Sequence, residues 1–260
     1  MESTTTNQQL VAIDERVLVI GSLNANPDDR DLDRDSIVTV QMLDSDGVLH
    51  PVPFFNQWGD LGVSSIAWRD SNPMLWYCTT GIGLHILDLE SGELREIDIP
   101  KTRGIHEIAF VGDVLWISNT YYDEIIAFDP ATEQVLERMH LSPYRTEPEN
   151  VEEASVDATD VQRVNKFHCN QVFETYEGEL YALVHHVTGE QLIRRIAQKL
   201  LKSQGNGGVL NIRTGERHRL SLKAPHSVRK INNQYWIFDS GHMQINVYDR
   251  SWKLIHEITT

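Results

Sequence analysis

The stretch Lys166-Phe167-His168-Cys169-Asn170-Gln171-Val172-Phe173-Glu174 places a histidine at the head of an apolar, strand-forming run. The chain presents the same arrangement twice more. Gly104-Ile105-His106-Glu107-Ile108-Ala109-Phe110 comes before it, and Lys223-Ala224-Pro225-His226-Ser227-Val228-Arg229-Lys230-Ile231 comes after it. The run beyond each histidine also recurs. Trp116 lies ten residues beyond His106, and Trp236 lies ten beyond His226. Tyr181 occupies the matching place after His168 across a slightly longer turn. A further copy, Gly62 to Trp68 followed by Met74 to Cys78, lacks the histidine. A repeat of roughly 45–60 residues built from strand, tight turn and strand points to a propeller rather than a helical solenoid.

On either side of these stretches, units of four strands tile the chain. The first comprises Leu10–Ile13, Arg16–Leu23, Ser36–Leu43 and Val48–Phe55. The others begin at Gly62, Gly104, Phe167 and His226, with Ser91-Gly92 and Thr214-Gly215 as hairpin turns. The expected fold is therefore all-β: a single five-bladed β-propeller with four-stranded blades, one domain over residues 1–260. Two insertions break the rhythm, 140–165 and 186–207. The first is acidic and without alternation, which suggests a lid. The second opens with a capping-box pattern at Thr188-Gly189-Glu190-Gln191. Leu192, Ile193, Ile196, Ala197, Leu200 and Leu201 then share one helical face. That predicts one inserted helix over 189–202, which could pack on its own domain or serve a homo-oligomer contact.

Composition narrows the function. A net charge of −15 argues against a nucleic-acid partner and against anionic membranes. No apolar run is long enough to span a bilayer, and Met1 to Gln9 is not a secretory signal. The two cysteines, Cys78 and Cys169, make no disulfide framework, so a cytoplasmic protein is expected. Cys169 reads as core rather than nucleophile, because no neighbour in sequence activates it. The tryptophans read as blade core, and the aspartate-rich loop between Asn24 and Asp35 lacks the spacing of a calcium loop.

Propeller geometry collects the irregular pieces on one face. If each first strand is innermost, His106, His168 and His226 converge near the axis, with both insertions on the same side. Three imidazoles around an axis can hold a divalent transition metal, Zn or Fe, with open positions for a small-molecule substrate. The leading expectation is thus a metal-dependent enzyme, hydrolytic, lyase or oxidative, with His106, His168 and His226 as ligands. Asn170 would face the axis with His168, while strand alternation turns Cys169 toward a neighbouring blade and Glu107 away from the axis. Asn170, Glu107 and His185 are the candidates to position water or substrate. Two rival readings stand beside this one. The histidines could be repeated structural groups bonded to backbone, or the same mouth could belong to a non-catalytic module that binds a glycan or protein.

The strings Phe167-His168-Cys169-Asn170, Ile117-Ser118-Asn119-Thr120 and Pro225-His226-Ser227-Val228-Arg229, with Trp236 and Asp239-Ser240-Gly241, resemble an uncharacterised bacterial propeller family, a domain of unknown function. The likeness runs from about Gly62 to Asp249 and implies a propeller without implying a reaction. A histidine-bound metal on a propeller axis also resembles the carotenoid-cleaving oxygenases at the level of fold.

Overall fold

The computed structural model describes residues 17–20, 40–43, 46–51, 63–79, 83–144, 165–189 and 205–259. The chain divides into two compact units, Met1–Val63 and Ser64–Thr260. In the first, β1 (Val17–Ile20), β2 (Val40–Leu43) and β3 (Leu49–Pro51) pair antiparallel as a three-stranded sheet.

The second unit is a propeller of four-stranded antiparallel blades. The first blade holds β4 (Ser65–Arg69), β5 (Asn72–Thr79), β6 (Leu84–Asp88) and β7 (Leu94–Ile97). The second holds β8 (Ile105–Val111), β9 (Val114–Asn119), β10 (Glu124–Asp129) and β11 (Gln134–His140). The third holds β12 (Cys169–Glu174), β13 (Leu180–Val184), β14 (Gly207–Asn211) and β15 (Arg217–Leu222). The fourth holds β16 (Pro225–Ile231), β17 (Gln234–Asp239), β18 (Gln244–Tyr248) and β19 (Leu254–Thr259). Each blade is a simple meander, and consecutive inner strands β4, β8, β12 and β16 pack side by side.

The five-bladed fold with an inserted helix is therefore corrected to an all-β, four-bladed propeller, with no α-helix among the described residues. The first expected unit pairs as three strands, and its proposed strand Leu10–Ile13 lies outside the described residues. The aspartate-rich loop, the proposed lid beyond Tyr144 and the proposed helix beyond Gly189 lie outside them too. At the base of the second insertion the chain is drawn together: Val187 N–H donates to Asn206 O at 3.0 Å.

Alternation along the middle strands builds the core. Leu115 and Ile117 of β9 point into the cluster shared with the first blade, and Trp116 between them points into the cluster shared with the third. In β13, Ala182 and Val184 face the second blade, and Tyr181 and Leu183 face the fourth. This is the period-2 pattern of strands buried on both faces. Trp76 and Trp116 are buried as expected, but Trp68 is exposed and stacks on Trp76 with centroids 5.5 Å apart. Cys169 lies fully buried in the cluster between the second and third blades.

Three inner strands carry a bulge near their start. The register shifts between Ile105 and Ile108, between Cys169 and Gln171, and between His226 and Val228. A bulge leaves backbone groups outside the ladder. The neighbouring blade satisfies them: Ser65 Oγ accepts from Ile108 N–H at 3.1 Å, and Gln171 Oε1 accepts from Val228 N–H. Ser118 Oγ lies 2.9 Å from Asn170 O, to which it can donate.

Candidate functional site

His106 and His226 are second residues of their strands, and His168 immediately precedes β12 in a left-handed conformation (φ 52°). A β-carbon makes that conformation costly for a non-glycine residue, so something must hold it. Asp123 does so. It is buried at the end of a short 3-10 turn, and its carboxylate accepts from the backbone N–H groups of Lys166, Phe167 and His168. Asp239 clasps the entry to β16 in a comparable way, through Lys223 and Ala224 N–H.

These supports bring four imidazoles together. Ring centroids lie 4.9 Å apart for His106 and His168, 4.3 Å for His168 and His185, 5.5 Å for His185 and His226, and 6.2 Å for His106 and His226. His185 arrives beside the others because its backbone N–H pairs with His168 O at 3.2 Å.

Asn170 lies among them, almost fully buried. Its Nδ2 is 2.6 Å from Pro225 O, 2.8 Å from His185 Nε2 and 3.2 Å from His226 Nδ1. A carbonyl can only accept, so Pro225 identifies this end of the amide as the donor. Two amide hydrogens face three acceptors, which makes His226 the weakest partner. His168 Nδ1 lies 2.9 Å from Asn165 Nδ2. Asn170 Oδ1 is buried and finds no hydrogen-bond partner among the described residues.

The electrostatics reflect burial. Burial, then the nearby His226, pushes His106 down to about 4. Burial, then the neighbouring imidazoles, pushes His168 down to about 3 and His185 down to about 2. Burial lowers His226 as well, with Asp239 opposing. All four rings are neutral at physiological pH.

The expected metal-dependent enzyme with a three-histidine site is corrected here. Among the described residues no group of His, Cys, Asp or Glu is arranged to hold a metal ion. The physical reason is that acceptor nitrogens of His168, His185 and His226 already face amides. The Asn170 amide stands among the rings where a shared cation would have to sit.

Glu107 does not point away from the axis. Its carboxylate lies 2.8 Å from Arg229 Nη1 and 3.1 Å from Ser227 Oγ, both on β16. The bulge in β8 breaks the alternation that would have turned it outward. Burial raises the Glu107 carboxyl, and Arg229 and Ser227 oppose that rise. Burial drives both thiols, Cys78 and Cys169, above their ordinary range. Sequence reasoning passed over Asp123, Ser227 and Arg229 as site residues. Only Arg229 carried a usable signal, lying three residues after a repeated histidine.

No family model matches this chain, and no curated protein does. Among solved structures it is similar to a protein of unknown function from Bacteroides caccae, with a TM-score of 0.53 and 11% identity, over 95% of this chain and 73% of that one. That likeness concerns the fold, and it is consistent with an uncharacterised propeller family. A streptogramin B lyase (TM-score 0.48, 12% identity, 76% of this chain and 54% of that one) is also similar. So is the virginiamycin B lyase from Staphylococcus aureus (0.48, 10%, 85% and 62%). The chain spans between about half and three-fifths of the length of these two lyases. No helix among the described residues is long and apolar enough to cross a membrane.

Proposed function

We propose that the four-bladed unit is a non-catalytic binding module that takes a neutral, hydroxyl-rich glycan at the mouth formed by His106, His168, His185, His226 and Asn170. The observation that carries this reading is the four neutral rings gathered around one buried amide. A neutral imidazole whose acceptor nitrogen is engaged still has an N–H to donate, and the ring faces offer apolar surface, a combination suited to sugar hydroxyls and C–H faces.

The same electrostatics speak against catalysis. A general base works best with a pKa near the operating pH. Imidazoles at about 4, 3 and 2 are weak bases at neutrality. Thiols raised by burial are poor nucleophiles. Glu107 is already engaged by Arg229 and Ser227.

An array of neutral and acidic oligosaccharides, probed with the full chain, tests the reading. Neutral glycans should bind, and His168→Ala and His185→Ala should abolish the signal while circular dichroism stays unchanged. Binding that survives in the double variant would place the ligand elsewhere. An array that stays blank beside capture of a protein ligand lost in the same variants would replace glycan with protein.

A further inference from the structure

A polar cavity of about 390 Å³ opens between β15 and the outer strands of the fourth blade. Its volume falls within the roughly 300–1,000 Å³ of small-molecule sites. Asp239, His242, Gln244, Asn246, Tyr248 and Glu257 contribute to its wall, together with short apolar segments.

Two features of this wall stand out. Asp239 is fully buried, its charge held by the Lys223 and Ala224 N–H groups. His242 Nδ1 lies 2.6 Å from Asp239 Oδ2. That bond places the imidazole hydrogen on Nδ1 in the neutral ring and leaves Nε2 as an acceptor. The second feature is charge. Asp239 and Glu257 are both carboxylates, and among the described residues no lysine or arginine lines the cavity. Their field reaches across it: burial first, then Asp239 and Glu257, raises the Tyr248 phenol. Gln244 Nε2 is engaged by Asn246 Oδ1 at 2.9 Å, which leaves Gln244 Oε1 as another acceptor.

We propose that this cavity binds a small organic cation bearing an ammonium group. The wall is rich in acceptors and carries net negative charge. An ammonium brings donors and positive charge. A neutral polyol would match the acceptors but not the charge. The cavity lies outside the axial mouth and touches it through Asp239, whose carboxylate also clasps the entry to β16 and acts on His226.

The test is calorimetric titration of the full chain with putrescine and with its neutral isostere butanediol, at about pH 8 so that free imidazoles are neutral. Putrescine should bind and butanediol should not. Glu257 is exposed, so Glu257→Gln keeps the fold, and it should weaken putrescine about tenfold or more, the worth of one charge-assisted hydrogen bond. His242→Phe should weaken it as well. Glu90→Gln, an equal loss of charge on an exposed turn of the first blade, should change nothing. Equal binding of the two probes overturns the proposal, as does no binding of putrescine. An equal effect of Glu90→Gln and Glu257→Gln also overturns it, because the attraction would then be diffuse.

Discussion

Glu107 on β8 and Arg229 on β16 meet at 2.8 Å although they stand on blades that are not adjacent. The bond therefore crosses the space enclosed by the inner strands and ties the second blade to the fourth. Arg229 is half exposed, with 57% of its side chain open to solvent, while only 14% of the Glu107 side chain is. Solvent screening discounts the pair, and most of what it secures is the buried carboxylate.

Arg229→Ala should cost about 1–2 kcal/mol at neutral pH, less than the loss of a fully buried partner. A carboxyl raised in the folded state contributes stability that is complete below its unfolded pKa and is lost as pH rises through the folded value. Removing Arg229 raises Glu107 further, so the deficit of the variant should shrink on acidification. Urea unfolding of wild type and variant at neutral and mildly acidic pH checks this. A deficit that grows in acid contradicts the assignment.

The mouth predicts an acid sensitivity of the opposite sign. Imidazoles lowered in the folded state leave stability complete above their unfolded value near 6.5. Stability then falls as pH drops from there toward about 4 for His106 and further for His168 and His185. Each group contributes at most about 1.4 kcal/mol per pH unit within its window. His185→Gln should flatten the slope of unfolding free energy against pH between about 6 and 5, by up to that one-group amount. An unchanged slope would mean that the ring titrates normally.

Asp123→Ala should strip the acceptor from three backbone N–H groups at the entry to β12. The cost should be about 1–3 kcal/mol for each group left buried and unbonded, and less where water can enter. Glycan binding should fall further than stability alone explains, because His168 loses its fixed conformation. Asp123→Asn, which retains one acceptor, should recover part of both, as read by thermal unfolding and array signal.

Gly208 lies on β14 where a β-carbon would stand 2.1 Å from His218 O on β15. The obstacle is backbone, which cannot swing aside. Gly208→Ala should therefore push the outer strand off and cost several kcal/mol, of the order of an overpacked core substitution at about 1–3 or more. Hydrogen exchange should show the loss concentrated in 207–222.

The blades were legible in the sequence because alternation and turn residues are local. Val114–Asn119, Glu124–Asp129 and Arg217–Leu222 fall where apolar periodicity places them. The meeting of His106, His168 and His226 was legible for the same reason, since equivalent positions in a repeat point to one axis. The direction of Glu107 was not, because a bulge is invisible in the alternation it interrupts. Nor was the occupation of the ring nitrogens, which depends on Asn170 reaching a carbonyl 55 positions away. In the first unit the expected strand Leu10–Ile13 lies outside the described residues, and Val17–Ile20, Val40–Leu43 and Leu49–Pro51 pair where alternation places strands.

The seams between inner strands have an arrow. Ser65 serves Ile108, Ser118 and Thr120 serve Asn170 and Cys169, and Gln171 serves Val228. Asp123 and Asn170 act the same way on 166–168 and Pro225. In each case the side chain belongs to the earlier blade and the unmet backbone group to the later one. During synthesis from the N-terminus, each blade would emerge to find its docking groups already standing. Elsewhere support runs the other way: Arg229 secures Glu107, and Tyr235 Oη accepts from Tyr176 N–H, so the last blade also serves earlier ones. Along the inner-strand seams, the order of synthesis and the order of support thus coincide, while the last blade repays the earlier ones at the periphery and across the axis.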